Sequence, residues 1–152
     1  MILAIDPGTT QSAYVLLDED LKPTEFGILP NEEMLWLIDA VFTACKDTHL
    51  ALEMVASYGM AVGKTVFETC VWTGRFLERA NTENYKFIYR KDEKMNLCGS
   101  MKAKDGNIRQ ALIDRFGVVG VKKNKGWFYG VSKDVWAAIA VGVTYHDLYL
   151  KG

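Results

Sequence analysis

Three carboxylates stand in apolar surroundings far apart along the chain. Asp6 ends the run ILAID, Glu53 lies between Leu52 and Met54 in HLALEMV, and Asp134 opens DVWAAIAVGVTYHDLYL. Such neighbours predict burial, and a buried carboxylate is costly unless something neutralises it. Three brought together would also repel one another, so at neutral pH they need a cation. An all-oxygen donor set favours Mg²⁺, with Mn²⁺ as a substitute, over zinc. Each acid also has a plain structural reading. Asp6 suits a turn ahead of Pro7-Gly8, Glu53 can pair with a lysine at a sheet edge, and Asp134 suits the positive end of a helix. The two readings differ in whether the three side chains meet in space.

The elements that must position them follow from periodicity and turn residues. Residues 2–6 and 12–18 read as strands around the turn Pro7-Gly8-Thr9-Thr10, and residues 24–29 as a third strand of the same meander. Asn31 is placed to cap a helix with Glu32 and Glu33 in its first turn and Leu35, Ile38, Phe42 and Cys45 at helical spacing. Residues 49–55 read as a buried strand. Residues 62–80 read as a helix with Val66, Cys70, Thr73 and Leu77 on one stripe. Residues 85–89 read as a strand and 91–103 as irregular. A helix is expected over 104–116, with Ile108, Leu112 and Phe116 as its apolar face. After a glycine- and lysine-rich connection, Ser132 is placed to cap a last helix that reaches about Tyr149. That helix is apolar nearly all round, so it belongs in the interior. A meander followed by alternating strands and helices predicts an α/β fold: a mixed sheet with helices on both faces.

The chain has 152 residues, 49% hydrophobic and 24% charged, which suits one globular domain over residues 1–152. No apolar run is long enough to cross a membrane, and no basic-then-apolar leader opens the chain, so a cytoplasmic protein is expected. Cys45, Cys70 and Cys98 are widely spaced and odd in number, which speaks against a disulfide framework or a zinc site. The net charge of −1 hides an asymmetry. Residues 1–85 hold 5 Lys/Arg against 13 Asp/Glu, whereas residues 86–125 hold 11 against 4, a local excess of +7. Such a block marks either a polyanion-binding face or a solvated lysine-rich surface.

Taken with their order, these segments resemble a known family. ILAIDPGTTQSAYVLLD is similar to the first strand and turn of the RuvC-type Holliday junction resolvases, within the RNase H-like nucleases. LALEMVASYG resembles their second acidic strand, and SKDVWAAIAVGVTY their closing acidic helix. YRKDEKMNLCGSMKAKDGNIRQALIDRFG is similar to the family segment with a lysine, a glycine and then a helix. The resemblance spans nearly the whole chain and implies an RNase H-like mixed five-stranded sheet.

It also implies a Mg²⁺-dependent endonuclease that nicks four-way DNA junctions symmetrically, leaving 5′-phosphate and 3′-hydroxyl ends. Asp6, Glu53 and Asp134 match the family's acids as catalytic metal ligands. Asp6 is the best placed to bridge two ions, whose paired charge suits the attacking and leaving oxygens of phosphodiester hydrolysis. Lys94, Lys102 and Lys104 fall near the family's functional lysines. With Arg109, Lys122, Lys123 and Lys125 they form the expected DNA track, and Tyr58 is the nearest aromatic to the family's wedge, in a shifted position. Tyr58 reads equally as loop packing. One departure is clear: the family's second helical aspartate, three residues after Asp134, is Ala137 here.

Junction symmetry implies a homodimer. Phe67, Val71 and Trp72 are candidates for its seam, or they pack against the basic segment. Lys64 and Arg75 on the same helix face DNA or solvent. The compact size resembles resolvases carried by phages, which would place the protein in the host cytoplasm. Other readings stand beside this one. DPGTT also resembles the first phosphate loop of sugar kinases and actin-like ATPases, but 152 residues leave no room for their second domain or second phosphate loop. A nuclease for forks, flaps and other branched DNA shares the same residues. So does a structure-selective DNA-binding protein whose metal site is weakened at Ala137.

Overall fold

The computed structural model describes residues 1–151; Gly152, the last residue of the expected domain, lies outside them. Five strands form one sheet: β1 (Ile2–Asp6), β2 (Gln11–Leu17), β3 (Pro23–Pro30), β4 (His49–Glu53) and β5 (Tyr85–Ile88). Their order is β3-β2-β1-β4-β5. The meander β1-β2-β3 is antiparallel, while β4 and β5 continue parallel to β1. This is the mixed five-stranded sheet expected.

Side chains alternate across a strand, so each strand feeds two cores. Leu3, Ile5, Leu50 and Leu52 point to one face, under α1 (Asn31–Ala44) and α2 (Lys64–Ala80). Ile2, Ala4, Val15, Leu17 and Ala51 point to the other. There lie α3 (Arg90–Cys98), α4 (Asp105–Phe116) and α5 (Val135–Tyr145), with a π-helical turn over His146–Leu150. Among the described residues, no helix is long and apolar enough to cross a membrane. Cys45, Cys70 and Cys98 are all free.

α5 is buried along its length except at Ala137. It lies close on the sheet because the contact is made of small residues. A Cβ added at Gly142 would come within 2.6 Å of Leu17 Cδ1 and 3.0 Å of the Ala4 Cβ. Leu17 and Ala4 are themselves fully buried and have nowhere to move. Gly142→Val is therefore expected to destabilise the protein by about 2–3 kcal/mol through overpacking. Urea denaturation measures this, and an unchanged midpoint would contradict the close contact.

The turn after β1 is held by two buried polar side chains. Asn31 Nδ2 donates to the Gly8 carbonyl at 2.9 Å, Ser12 Oγ donates to Asn31 Oδ1 at 2.6 Å, and the Gly8 N–H donates to Ser12 Oγ at 3.1 Å. Asn31 is thus the first residue of α1 and latches the turn; Pro30 takes the cap position, without a side-chain cap.

Several other expectations are corrected. Residues 91–103 are not irregular, because α3 occupies 90–98, with the Tyr89 N–H donating to Asp92 Oδ2 at 3.1 Å across its first turn. Its sequence, RKDEKMNLC, is too polar to show an apolar stripe. The stripe of α2 is rotated: Thr69, Thr73, Phe76 and Ala80 are buried, while Val66, Cys70 and Leu77 are half-buried. Thr69 and Thr73 turn their hydroxyls back onto the carbonyls of Thr65 and Thr69, each at 2.9 Å, and so behave as apolar residues. The connection over 117–130 contains a short hairpin of β6 (Gly120–Val121) and β7 (Asn124–Lys125).

The last helix is capped by Asp134, whose carbonyl accepts the Ala137 N–H at 3.0 Å, and not by Ser132. Its regular α-geometry ends at Tyr145. The following π-helical turn is fastened by Asp147, which accepts two hydrogen bonds from Arg115 at 2.6 and 2.9 Å and one from Asn96 at 2.8 Å. Burial alone would raise the Asp147 carboxyl, but these bonds and His146 hold it down at about 2.

Candidate active site

Strand parity decides where the first two acids face. Asp6 follows Ile2 and Ala4 on the α5 side of β1, and Glu53 follows Ala51 on the same side of β4. The parallel register pairs Ile5 with Leu52, which sets Asp6 beside Glu53 at the carboxyl ends of adjacent strands. Gly8 lets the turn after Asp6 close tightly, since a Cβ there would meet the Gln11 carbonyl oxygen at 2.3 Å. Asp134 reaches the same place from the N-terminus of α5. Asp6, Glu53 and Asp134 line one cleft of about 260 Å³, together with Arg90, Asp105, Arg109, Lys133 and Ala137. The latch of Asn31 and Ser12 already shapes the turn, so the turn does not need the Asp6 carboxylate.

A fourth acid sits against them. Glu93, in the first turn of α3, is 0% exposed. Its Oε1 accepts from Arg90 Nη1 at 3.1 Å, and the other arm of Arg90 pairs with Asp105. The Glu93 and Glu53 carboxyls lie together, within reach of a shared proton. Glu53 Oε2 and Glu93 Oε2 are buried with no hydrogen-bond partner.

The electrostatics follow from burial first. Burial, then the Glu53 and Asp134 charges, pushes Asp6 up to about 7 against the pull of Arg90. Burial and the adjoining Glu93 push Glu53 up to about 9. Burial likewise holds Glu93 at about 7, despite Glu53 and Arg90 drawing it down.

These shifts carry a stability prediction. Carboxyls that titrate higher in the folded chain leave it holding more protons than the unfolded chain. Between about pH 4.5 and about pH 9, stability without a divalent ion is therefore expected to fall as pH rises. Deprotonated oxygens are what a cation binds, so added Mn²⁺ should raise the melting temperature at pH 8.5 and do little at pH 5. Melting temperatures flat across this range would contradict the buried acid cluster.

The donor chemistry of the cleft fits an oxygen-ligated divalent ion: the carboxylates of Asp6, Glu53 and Asp134, with an orphan buried oxygen on Glu53, and Arg90 as an opposing positive charge. Among the described residues, no three His, Cys, Asp or Glu side chains close on a single point as a finished cage would. The acids share the cleft, and an ion would have to draw them together.

The structure brings some expected residues together and leaves others apart. Asp6, Glu53, Asp134 and Arg109 line the cleft, with Arg109 lying over the Trp136 ring at 4.9 Å. Asp134 is exposed, which corrects the expectation that all three acids are buried. Its helix sinks into the core only from Val135 onward. Lys94 lies on α3, Lys102 between α3 and α4, and Lys104 at the N-terminus of α4; none of the three lines the cleft. Lys122, Lys123 and Lys125 are exposed on the β6-β7 hairpin, with Lys125 also over the Tyr129 ring.

Tyr58 is 59% exposed in the loop after β4 and has a left-handed backbone, so it does not pack the loop. Phe67 and Val71 are 60% and 61% exposed. Their helix packs on α1 and β4, which corrects the alternative that they pack on the basic segment. Trp72 is half-buried beneath Arg75, whose guanidinium lies 4.1 Å from its ring centre. Sequence reasoning missed Arg90, Asp105 and Lys133 as cleft groups, and Glu93 as a buried acid beside Glu53. Arg90 and Glu93 lie in the charged run RKDEK, where one acid is buried and no apolar neighbour marks it.

The mixed sheet in this order, flanked by helices on both faces and carrying acids at the ends of β1 and β4 and the start of α5, defines an RNase H-like fold. Within that class the chain has the fold of RuvC. It superposes on the Thermus thermophilus RuvC structure with a TM-score of 0.66 and 15% identity, over 98% of this chain and 94% of that one. It superposes on T. thermophilus RuvC in complex with a Holliday junction substrate with a TM-score of 0.67 and 14% identity, over 98% and 93%. No family model and no curated protein matches the sequence.

Proposed function

We propose that this protein is a structure-selective endonuclease that resolves four-way DNA junctions by metal-dependent phosphodiester hydrolysis. The observation that carries the reading is that Asp6, Glu53 and Asp134, distant in sequence, line one cleft of a RuvC fold. That a similar structure is described as RuvC with a Holliday junction substrate supports branched DNA as the partner.

In this reading Asp6, Glu53 and Asp134 would hold Mg²⁺ or Mn²⁺, and the ion would face the scissile phosphate. A bound divalent ion supplies charge stabilisation of the attacking and leaving oxygens. Arg109 and Lys133, at the cleft wall, bind the phosphates flanking the cut. The lysines of α3, α4 and the hairpin hold the backbone further out, which gives affinity without reading sequence. Tyr58 stands on an exposed loop from which it would stack on an unpaired base. Two copies joined through the exposed Phe67 and Val71 face of α2 would match the two-fold symmetry of the junction and nick it twice, leaving 5′-phosphate and 3′-hydroxyl ends.

The test is cleavage of a synthetic four-way junction in Mg²⁺, beside fork, flap and duplex controls. Paired symmetric nicks on the junction are expected. Equal cutting of forks and flaps would replace this reading with a broader branched-DNA nuclease. Junction binding without cutting in either metal would leave a DNA-binding protein.

A further inference from the structure

We infer that Arg90 grips a DNA phosphate in this cleft, and that the Asp105 carboxylate occupies the phosphate's place until DNA arrives. The inference rests on the DNA-binding part of the reading above and names the group that seats the backbone beside the acids.

Arg90 is the first residue of α3 and lines the cleft. Its two arms are held very differently. Nη1 donates to Glu93 Oε1 at 3.1 Å, and the Glu93 side chain is 0% exposed. That arm is fixed, because releasing it would leave a buried carboxyl unpaired. Nη2 pairs with Oδ1 of Asp105, the first residue of α4, whose side chain is 92% exposed. An ion pair so open to water contributes little and exchanges readily. The Arg90 side chain is itself 28% exposed, so an anion entering the cleft can reach the outer arm.

A guanidinium is a planar fork that accepts carboxylate and phosphate in the same geometry. A carboxylate resting on one arm of such a fork is a stand-in for phosphate. The position also suits the proposed reaction, since the charge of Arg90 acts on both Asp6 and Glu53. Arg109, four residues after Asp105 and so on the same side of α4, lines the same cleft and offers a second cation to the strand.

Two plainer accounts compete. In one, the Arg90–Asp105 pair only pins α4 to α3; in the other, Asp105 only repels DNA by its charge. Fluorescence anisotropy of a labelled four-way junction in EDTA separates all three. Asp105→Asn frees the arm and should tighten binding about 2- to 5-fold. Arg90→Lys keeps a charge for Glu93 but loses the fork, and should weaken binding about 10-fold. In the Arg90→Lys background, Asp105→Asn should bring no gain. Should Arg90→Lys not fold, Asp114→Asn serves instead: it removes an exposed charge from the same helix outside the cleft and should leave binding near wild type.

Weaker or unchanged binding by Asp105→Asn would overturn the exchange in favour of the pin. An equal gain in the Arg90→Lys background, or from Asp114→Asn, would overturn it in favour of simple repulsion. Neither result touches cutting by the wild type, and so the nuclease reading would survive both. The expected coupling in a protein that binds junctions and cuts none in Mg²⁺ would keep the exchange and end the nuclease reading. A protein that binds no DNA would lose both.

Discussion

Asp6→Asn is expected to bind four-way junctions as tightly as the wild type, or more tightly, and to cut them about 10³-fold more slowly or not at all. The side chain keeps its size and loses its charge. Asp6 stands at the centre of the cluster, beside Glu53 on the next strand and facing Asp134 across the cleft. Removing it takes away the one carboxylate whose charge couples to both Glu53 and Asp134. A ligated ion contributes several kcal/mol to charge stabilisation in the transition state. At 1.36 kcal/mol per tenfold in rate, a loss of about 4 kcal/mol is about a thousandfold. Binding behaves differently because it depends on Arg109, Lys133 and the outer lysines, which the substitution leaves in place. Asp6→Asn adds no negative charge to the cleft, so gel-shift affinity without metal should hold or rise. Normal cutting by Asp6→Asn would remove the site assignment, whatever the fold.

The second large effect is expected from the hairpin. Changing Lys122, Lys123 and Lys125 together to alanine should weaken junction binding about 10- to 100-fold at low salt and make the dependence on salt shallower by about 2–3 logarithmic units per decade. All three are exposed and none lines the cleft, so cutting at saturating junction should stay near the wild-type rate. The expected signature is a raised KM with an unchanged kcat. Binding titrations at several salt concentrations measure the slope. An unchanged slope would mean that the lysine-rich hairpin is simply solvated.

The sheet was legible because its signal is local. Continuous apolar runs in β1, β2 and β4 mark strands covered on both faces, and the two-residue parity of a strand sends Asp6 and Glu53 to one side. Periodicity was weaker for α2, where threonines that hydrogen-bond backwards stand in for apolar residues and shift the stripe by one position. It failed for α3, whose residues are almost all polar. That helix is held by the Arg90–Asp105 charge pair with α4 and by Leu97 and Cys98 at its end. Glu93 was invisible for the same reason: a buried acid inside RKDEK has the composition of a solvated run. The turn at Pro7-Gly8 was read correctly as a turn, but its latch runs through Asn31, 23 residues from Gly8. No local pattern announces a partner so far away.

The close seat of α5 on the sheet reaches beyond folding. Gly142 lies eight residues past Asp134, about 12 Å along the helix axis. A helix pivoting on that point works as a lever, with Asp134 at its far end. A bulkier side chain at Gly142 or Ala4 would tilt the arm and widen the gap between Asp134 and the strand acids, while every group in the cleft kept its identity. In the nuclease proposed above, tuning of ion size and reaction rate would therefore be open to residues two turns from the cleft.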